Sequence, residues 1–504
     1  MTTATIVILI TIILYLLAMV GIGAVFSKKN NTADDFYLGG RKLGPFVTAM
    51  SAEASDMSSW LLMGLPGVAY ATGICDAAWT AIGLAVGTWV NWLVVSKRIR
   101  SYSHRIHAIT IPDFFAKRYH DDKNILTLIA AVIILVFFIP YTASGFAACG
   151  KLFNSLFGVE YMKAMVICAV IIVAYTALGG FLAASTTDLI QSIVMTIALI
   201  VVVCFGVSQA GGMGAVMDNA KSLAGYLSLT ALHNPESNTA TDYGFLNIIS
   251  MMAWGLGYFG MPHVLLRFMA TKDEDKLTLS RRIATVWVVI SMTIAIFIGV
   301  VGLAMTKAGA LENLADSETI IVKIAHVLSE YGVMPAFIAG IILAGILAAT
   351  MSTSDSQLLA AASSVSQNIL VDFFHLKVSN KASVIIARAT VIIISIIAVF
   401  LARNPNSSVF GIVSFAWAGF GATFGPVMLL ALFWKRSNQY GAIAGMVAGG
   451  VMIFVWKYCV RPLGGLWDIY ELLPVFLIAL LVNVIVSLCT KAPEEAVIKE
   501  FEGK

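Results

Sequence analysis

The sequence predicts an all-α polytopic membrane protein whose core pairs two five-helix repeats of opposite orientation. Three observations carry that prediction. Of the 504 residues, 59% are hydrophobic and only 12% are charged, a balance that excludes an ordinary water-soluble domain. Thirteen runs of about 20 apolar residues are each long enough to cross roughly 30 Å of hydrocarbon at 1.5 Å per residue. Two of those runs, the second and the seventh, are interrupted by glycine, proline and polar residues, and they stand five apart.

The runs lie at about 4–26, 46–72, 77–96, 124–150, 162–183, 188–210, 244–268, 281–306, 334–358, 383–402, 408–433, 439–459 and 471–490. The first has no basic residue before it and no small-residue cleavage pattern after it, so it reads as a retained helix over 1–30 and not as a signal peptide. The core then covers 31–490, with a first repeat over about 46–210, a second over about 244–434, and extra helices over 439–490. A tail over 491–504 is expected on the cytoplasmic side. A repeat with an odd number of spans inverts its successor automatically.

Thirteen spans put the termini on opposite sides, and loop Lys and Arg decide which side is which. Of the 32 basic residues, 24 fall in one set of loops and tail, Lys28, Lys29 and Lys504 among them, and 8 in the other. The rich set is cytoplasmic, which places the N-terminus outside and the C-terminus inside, in a plasma (cytoplasmic) membrane. The net charge of +4 is accounted for by those loops and calls for no nucleic-acid partner. Six cysteines without CxxC or metal-ligand spacing, and no nucleophile, base and oxyanion arrangement or nucleotide loop, argue against an enzyme or a resident cofactor.

A membrane helix can be interrupted only where the freed backbone groups are buried in protein or line a cavity. Paired interruptions in two halves point to the binding site of a secondary transporter. The first is "SAEASDMSSWLLMGLPG", residues 51–67, and the second is "MMAWGLGYFGMPHVLLRF", residues 251–268. Glycines in either one also suit close helix packing. A third polar element, "GILAATMSTSDSQLLAAASS", lies in the ninth run and crowds Ser352, Thr353, Ser354, Asp355 and Ser356 into one and a half turns. An aspartate in a span is costly and usually faces a pathway or a partner. Hydroxyls, freed carbonyls and carboxylates are hard oxygen donors, and their number favours sodium over a proton. Trp60, Tyr141, Trp254 and Tyr258 sit in or beside the broken segments and suit an organic solute with an apolar body and a cationic amine.

The segments "SDMSSWLLMGLPG", "WGLGYFGMPH", "LGGRKLGPF", "ITIPDFFAKRY", "TALGGFLAASTTD" and "ILAATMSTSDSQLL" occur in this order between about residues 34 and 490. In them the chain resembles the sodium/solute symporter family, in its sodium/proline branch. The resemblance implies a LeuT-type inverted repeat and sodium-coupled uptake of L-proline by alternating access. It implies sodium held by the carbonyls of Ala54, Met57 and Ala349 and the hydroxyls of Ser352 and Thr353, with Asp56 needed for sodium-dependent activity. It further implies a proline pocket of Trp60, Tyr141, Trp254, Tyr258 and Pro262, and a coupling role for Arg41. Asp188, Asp355 and Ser356 match positions that form a second cation site in some relatives. Glu53 stands where that branch carries glycine, Asp355 stands where it carries a small neutral residue, and Met261 and Ser59 also differ. Another small solute, such as a sugar, a monocarboxylate or a different amino acid, and a non-transporting membrane sensor are the competing readings.

Overall fold

The structure is a computed structural model that describes residues 2–28, 32–404 and 408–503. Lys29 and Lys504 of the charge count, and the expected domain boundary at residues 30–31, lie outside the described residues. In chain order the long or site-forming helices are α1 (Thr3–Ser27), α2 (Pro45–Asp56), α3 (Leu65–Thr72), α4 (Ile74–Val94), α5 (Ile125–Phe157), α6 (Tyr161–Gln209), α7 (Phe245–Met252) and α8 (Pro262–Ala270). They continue with α9 (Leu277–Lys307), α10 (Val333–Ser363), α11 (Asn380–Leu401), α12 (Val409–Phe433), α13 (Gln439–Val455), α14 (Leu472–Cys489) and a short α15 (Glu495–Glu502).

Ten of the helices among the described residues are long and apolar enough to cross a membrane, or eleven if the pair bent by 44° between Phe259 and Pro262 counts as one span. The difference from thirteen has physical causes. The expected spans at 162–183 and 188–210 run on without a loop as the 49 residues of α6, two helical segments that meet at a kink at Gly180. There φ is +64° and ψ is −162°, a conformation that glycine adopts freely and other residues do not. The expected span at 46–72 is divided into α2, the wide-wound turn Trp60–Gly64 and α3, each too short to cross alone.

Helix α2 starts on Pro45, which fits the first helical position because its missing N–H has no partner there anyway. The helix ends at Asp56, and Ser58 takes a φ of +23° before the chain winds on from Trp60. The second interruption is built differently. Residues Ala253–Phe259 tighten to three per turn, and α8 restarts on Pro262. Its glycines serve close approach. A Cβ on Gly255 would stand 2.3 Å from the carbonyl oxygen of Gly83 on α4, and one on Gly260 would stand 2.2 Å from the carbonyl of Phe420 on α12.

Helix α10 is the central element and packs against α6, α1 and α5. Between α6 and α7 the polar segment forms a helix, Met213–Ser222, and an antiparallel hairpin of β1 (Ala231–Asn234) and β2 (Thr239–Asp242), so the chain is not wholly α. The tail also folds. Phe501 of α15 lies against the guanidinium groups of Arg98 and Arg118, at 5.1 and 4.8 Å.

Candidate functional site for an ion and a small solute

The end of α2 meets the middle of α10 through oxygen atoms. Ser352 Oγ donates to the carbonyls of Ala54 at 2.7 Å and of Ala349 at 3.2 Å. Thr353 Oγ1 donates to Ala349 O at 3.2 Å and accepts from the amide of Ser58 at 3.1 Å, just past the end of α2. Four of the five oxygens expected around sodium are thus linked across two helices. The fifth, Met57 O, accepts from the Leu61 amide at 3.1 Å. Immediately after the Ser58 amide that reaches Thr353, the backbone takes a positive φ of 23°.

Asp56 points away from α10. Its Oδ2 accepts from the Tyr258 hydroxyl at 2.5 Å, and its backbone carbonyl lies 3.5 Å from the Tyr141 hydroxyl. Those two tyrosines join the second interruption and α5 to the first. An aromatic wall follows. The rings of Trp60 and Trp254 stack at 5.7 Å, Trp254 stacks on Tyr470 at 5.2 Å, and Tyr258 meets Trp417 edge-on at 5.0 Å. Both indole N–H groups, of Trp60 and Trp254, are buried without a hydrogen-bond partner, so two donors are available to a polar group arriving there. Trp60, Tyr141, Trp254 and Tyr258 are 1–3% exposed, so the wall is shielded from solvent in this conformation. Pro262 stands at the restart of α8 and not in the ring stack.

The carboxylates of Asp188 and Asp355 form a separate buried cluster around Arg267 of α8. The guanidinium lies 3.1 Å from Asp188 Oδ2 and donates to Ser356 Oγ at 2.5 Å and Ser51 Oγ at 3.0 Å. Ser51 in turn donates to Asp188 at 2.6 Å. Asp355 accepts from Tyr175 at 2.7 Å and from Ser356 at 3.0 Å. The guanidinium pairs directly with Asp188, and Asp355 is linked to it only through the Ser356 hydroxyl.

Arg41 caps the same end of α2 and α8. Its guanidinium donates to the carbonyls of Met269 at 2.7 Å and Ala108 at 2.5 Å, and to both oxygens of Ser103 at 3.2 Å. Burial, reinforced by Arg100, lowers its pKa to about 10, so it remains a cation at neutral pH. Leu43 and Thr271 pair in a short parallel bridge beside it, with Leu43 N to Ala270 O at 3.2 Å and Lys272 N to Leu43 O at 2.9 Å.

Residues 36–449 match the sequence profile of the sodium:solute symporter family. The chain belongs to that family. The sodium/proline symporter of Escherichia coli is 40% identical over 98% of this chain and 95% of its own length. The osmoregulated proline transporter OpuE of Bacillus subtilis is 39% identical over 98% and 97%. Among solved structures, a sodium-coupled sialic acid symporter in a substrate-bound, outward-open state superposes with a TM-score of 0.80 at 17% identity, covering 97% of this chain and 99% of that one. Mhp1, a nucleobase-cation-symport-1 family transporter in a closed conformation, superposes at 0.56 with 14% identity, covering 94% and 98%. The chain is thus a multi-pass membrane transporter, with the fold of these symporters, and not an enzyme.

Several residues of this symporter's site carry no motif in the sequence. Trp417 donates from its indole to Trp254 O at 2.8 Å, and Tyr470 donates to Ser414 O at 2.6 Å. Trp417 lies on α12 and Tyr470 just before α14, both far along the chain, and only the fold brings them to the wall. Glu318 is another. It accepts from Lys151 Nζ at 2.8 Å, from the Ser408 hydroxyl at 3.1 Å, and from the amides of Val409 and Phe410 at 3.3 and 3.1 Å. A carboxylate at the N-terminus of α12 satisfies amides that the helix itself leaves without partners.

Proposed function

We propose that this symporter moves L-proline into the cell together with sodium, by alternating access. The observation that carries the reading is a juxtaposition at one break. The oxygens of Ala54, Ala349, Ser352 and Thr353 lie on one side of the end of α2, and the rings of Trp60, Trp254 and Tyr258 lie on the other. An ion and a solute bound there share a wall, so either one alters the affinity for the other. The names of the curated relatives support proline and sodium as the pair.

In this reading sodium replaces the hydroxyl–carbonyl hydrogen bonds at Ser352 and Thr353 and takes the carbonyls of Ala54, Met57 and Ala349. Asp56 supplies negative charge one residue away. Proline lies against Trp60, Tyr141, Trp254, Tyr258 and Pro262. Asp188, Asp355 and Ser356 are the candidate place for a second cation; in this conformation Asp188 and Ser356 hold the guanidinium of Arg267. Arg41 couples the inner ends of the two broken segments. The thirteen-span, five-plus-five LeuT-type arrangement follows if α6 crosses twice about Gly180 and each broken segment crosses once. The N-terminus is then outside the plasma membrane and the C-terminus in the cytoplasm.

One charge crossing 100 mV is worth about 2.3 kcal/mol, and a tenfold sodium gradient adds about 1.4 kcal/mol, which together support roughly 500-fold accumulation for one sodium per proline. The test is uptake of radiolabelled L-proline by proteoliposomes at fixed voltage, under an inward sodium gradient or an equal potassium gradient. Accumulation with sodium alone is expected. Accumulation of a different solute but not proline would overturn the substrate, and no sodium dependence for any solute would overturn the coupling.

A further inference from the structure

The face of α2 opposite the Ser352 hydroxyl carries Glu53, which has no role in the reading above, beside Asp56, whose charge that reading already uses. Glu53 is 1% exposed and Asp56 is 6% exposed, one turn apart on the helix. Glu53 Oε1 accepts from the indole of Trp92 on α4 at 2.8 Å, and its Oε2 has no partner. Among the described residues neither carboxylate forms an ion pair, and the charge that acts on Glu53 is that of Asp56. Arg267, the buried cation of the adjoining α8, is held by Asp188, Ser51 and Ser356. Two carboxylates so placed, with only an indole and a phenol as donors, call for a cation.

The facing surface of α4 is shaped to help hold one. Thr88 neighbours both Trp92, four residues on, and Asn91, three residues on, along the helix surface. Trp92 is the residue bonded to Glu53. Thr88 Oγ1 faces the Tyr258 hydroxyl, the donor to Asp56, without completing a hydrogen bond of ordinary geometry. Asn91 lies between them in the chain. Thr88 and Asn91 are both fully buried, and the Thr88 hydroxyl and both polar atoms of the Asn91 amide lack partners. Buried polar groups without partners are rare in native proteins, and several grouped beside two carboxylates mark a place for a ligand.

We infer that Glu53 and Asp56, with the oxygens of Thr88 and Asn91, form a second sodium site between α2 and α4, separate from the site at Ser352 and Thr353. Carboxylate, amide and hydroxyl oxygens are the donor set of a hard monovalent cation. The site rests on the sodium-coupled reading given above. A sodium there and one at Ser352 would flank the same break from opposite sides.

The experiment is equilibrium binding of sodium-22 to the purified full-length protein without proline. Two ions per chain are expected, falling to one in Glu53→Gln, which keeps an acceptor for Trp92. Thr88→Val keeps both carboxylates, and its second ion is expected to bind at least tenfold more weakly. One ion in the unaltered protein, or two retained at unchanged affinity in both variants, would overturn the inference while leaving sodium coupling intact. No sodium bound at all would overturn the coupling reading as well.

Discussion

Replacing Ser352 by alanine removes one hydroxyl that now reaches two carbonyls on two helices, Ala54 at 2.7 Å and Ala349 at 3.2 Å. If that oxygen is a sodium ligand, its loss forfeits a charge-assisted contact of about 1.5–3 kcal/mol. At about 1.4 kcal/mol per decade, the sodium concentration for half-maximal proline uptake rises roughly 10- to 150-fold. The hydrogen bond itself contributes only about 1 kcal/mol to stability, so the variant folds and regains most of its rate at saturating sodium. Ser363→Ala, on the same helix, is the control. Its hydroxyl bonds back to Ala360 O at 2.8 Å within the helix, and its sodium dependence is expected to match the unaltered protein. The assay is initial uptake in proteoliposomes across a sodium titration. A Ser352→Ala curve that overlays the unaltered one would refute the assignment of this oxygen, and with it the placement of the ion between α2 and α10.

Arg267→Met leaves Asp188 fully buried and unpaired, which costs about 3–5 kcal/mol, and is expected to lower the thermal unfolding midpoint sharply. Adding Asp188→Asn should recover most of that loss, and no recovery would show that the pair is not what Arg267 stabilises. Glu318→Ala strips Lys151 of one partner and frees two amides at the start of α12, a loss of about 2–4 kcal/mol. It is expected to expose the aromatic wall, read as faster thiol labelling of a cysteine placed at Phe410; unchanged labelling would mean that this contact does not hold the wall closed.

What the sequence made legible follows from how far each signal travels along the chain. The interruption at 51–67 could be read because its polar residues, glycines and proline lie within seventeen positions, and the structure does break there, at Ser58. The glycines at 255 and 260 invite the same reading, yet they admit neighbouring backbones, and the helix restarts only at Pro262. Hydropathy sets the gap between two spans at 184–187, in the polar run before Asp188, whereas the backbone kinks a few residues earlier, at Gly180, and without a loop. Arg267 was visible only as one more basic residue near the end of a span. Its partner Asp188 is 79 residues away, and no local pattern announces a pair formed across that separation. Trp417 and Tyr470 were missed for the same reason.

The two ends of the site are closed by different chemistry, and this bears on how an ion can drive the cycle. At one end Arg41 and the Leu43–Thr271 bridge tie α2 to α8 through backbone oxygens and amides, joined by Arg100 Nε to Thr271 O at 2.5 Å. At the other, the Lys151–Glu318 pair closes over the start of α12. Opening either end breaks charge-assisted contacts worth about 2–5 kcal/mol, comparable to the roughly 3.7 kcal/mol available from one sodium under the gradients considered above. A gradient alone therefore opens neither end; the ion must bind one state better than the other. The closed conformation shows where that preference can arise. With Ser352 bonded to Ala54 O and Ala349 O, the oxygens proposed above to hold sodium satisfy one another across α2 and α10, so in that proposal no ligand is left stranded when the ion departs. Any movement that separates the two helices removes that mutual satisfaction and turns the same atoms into free acceptors, and free acceptors at a helix break are what a sodium ion binds most tightly.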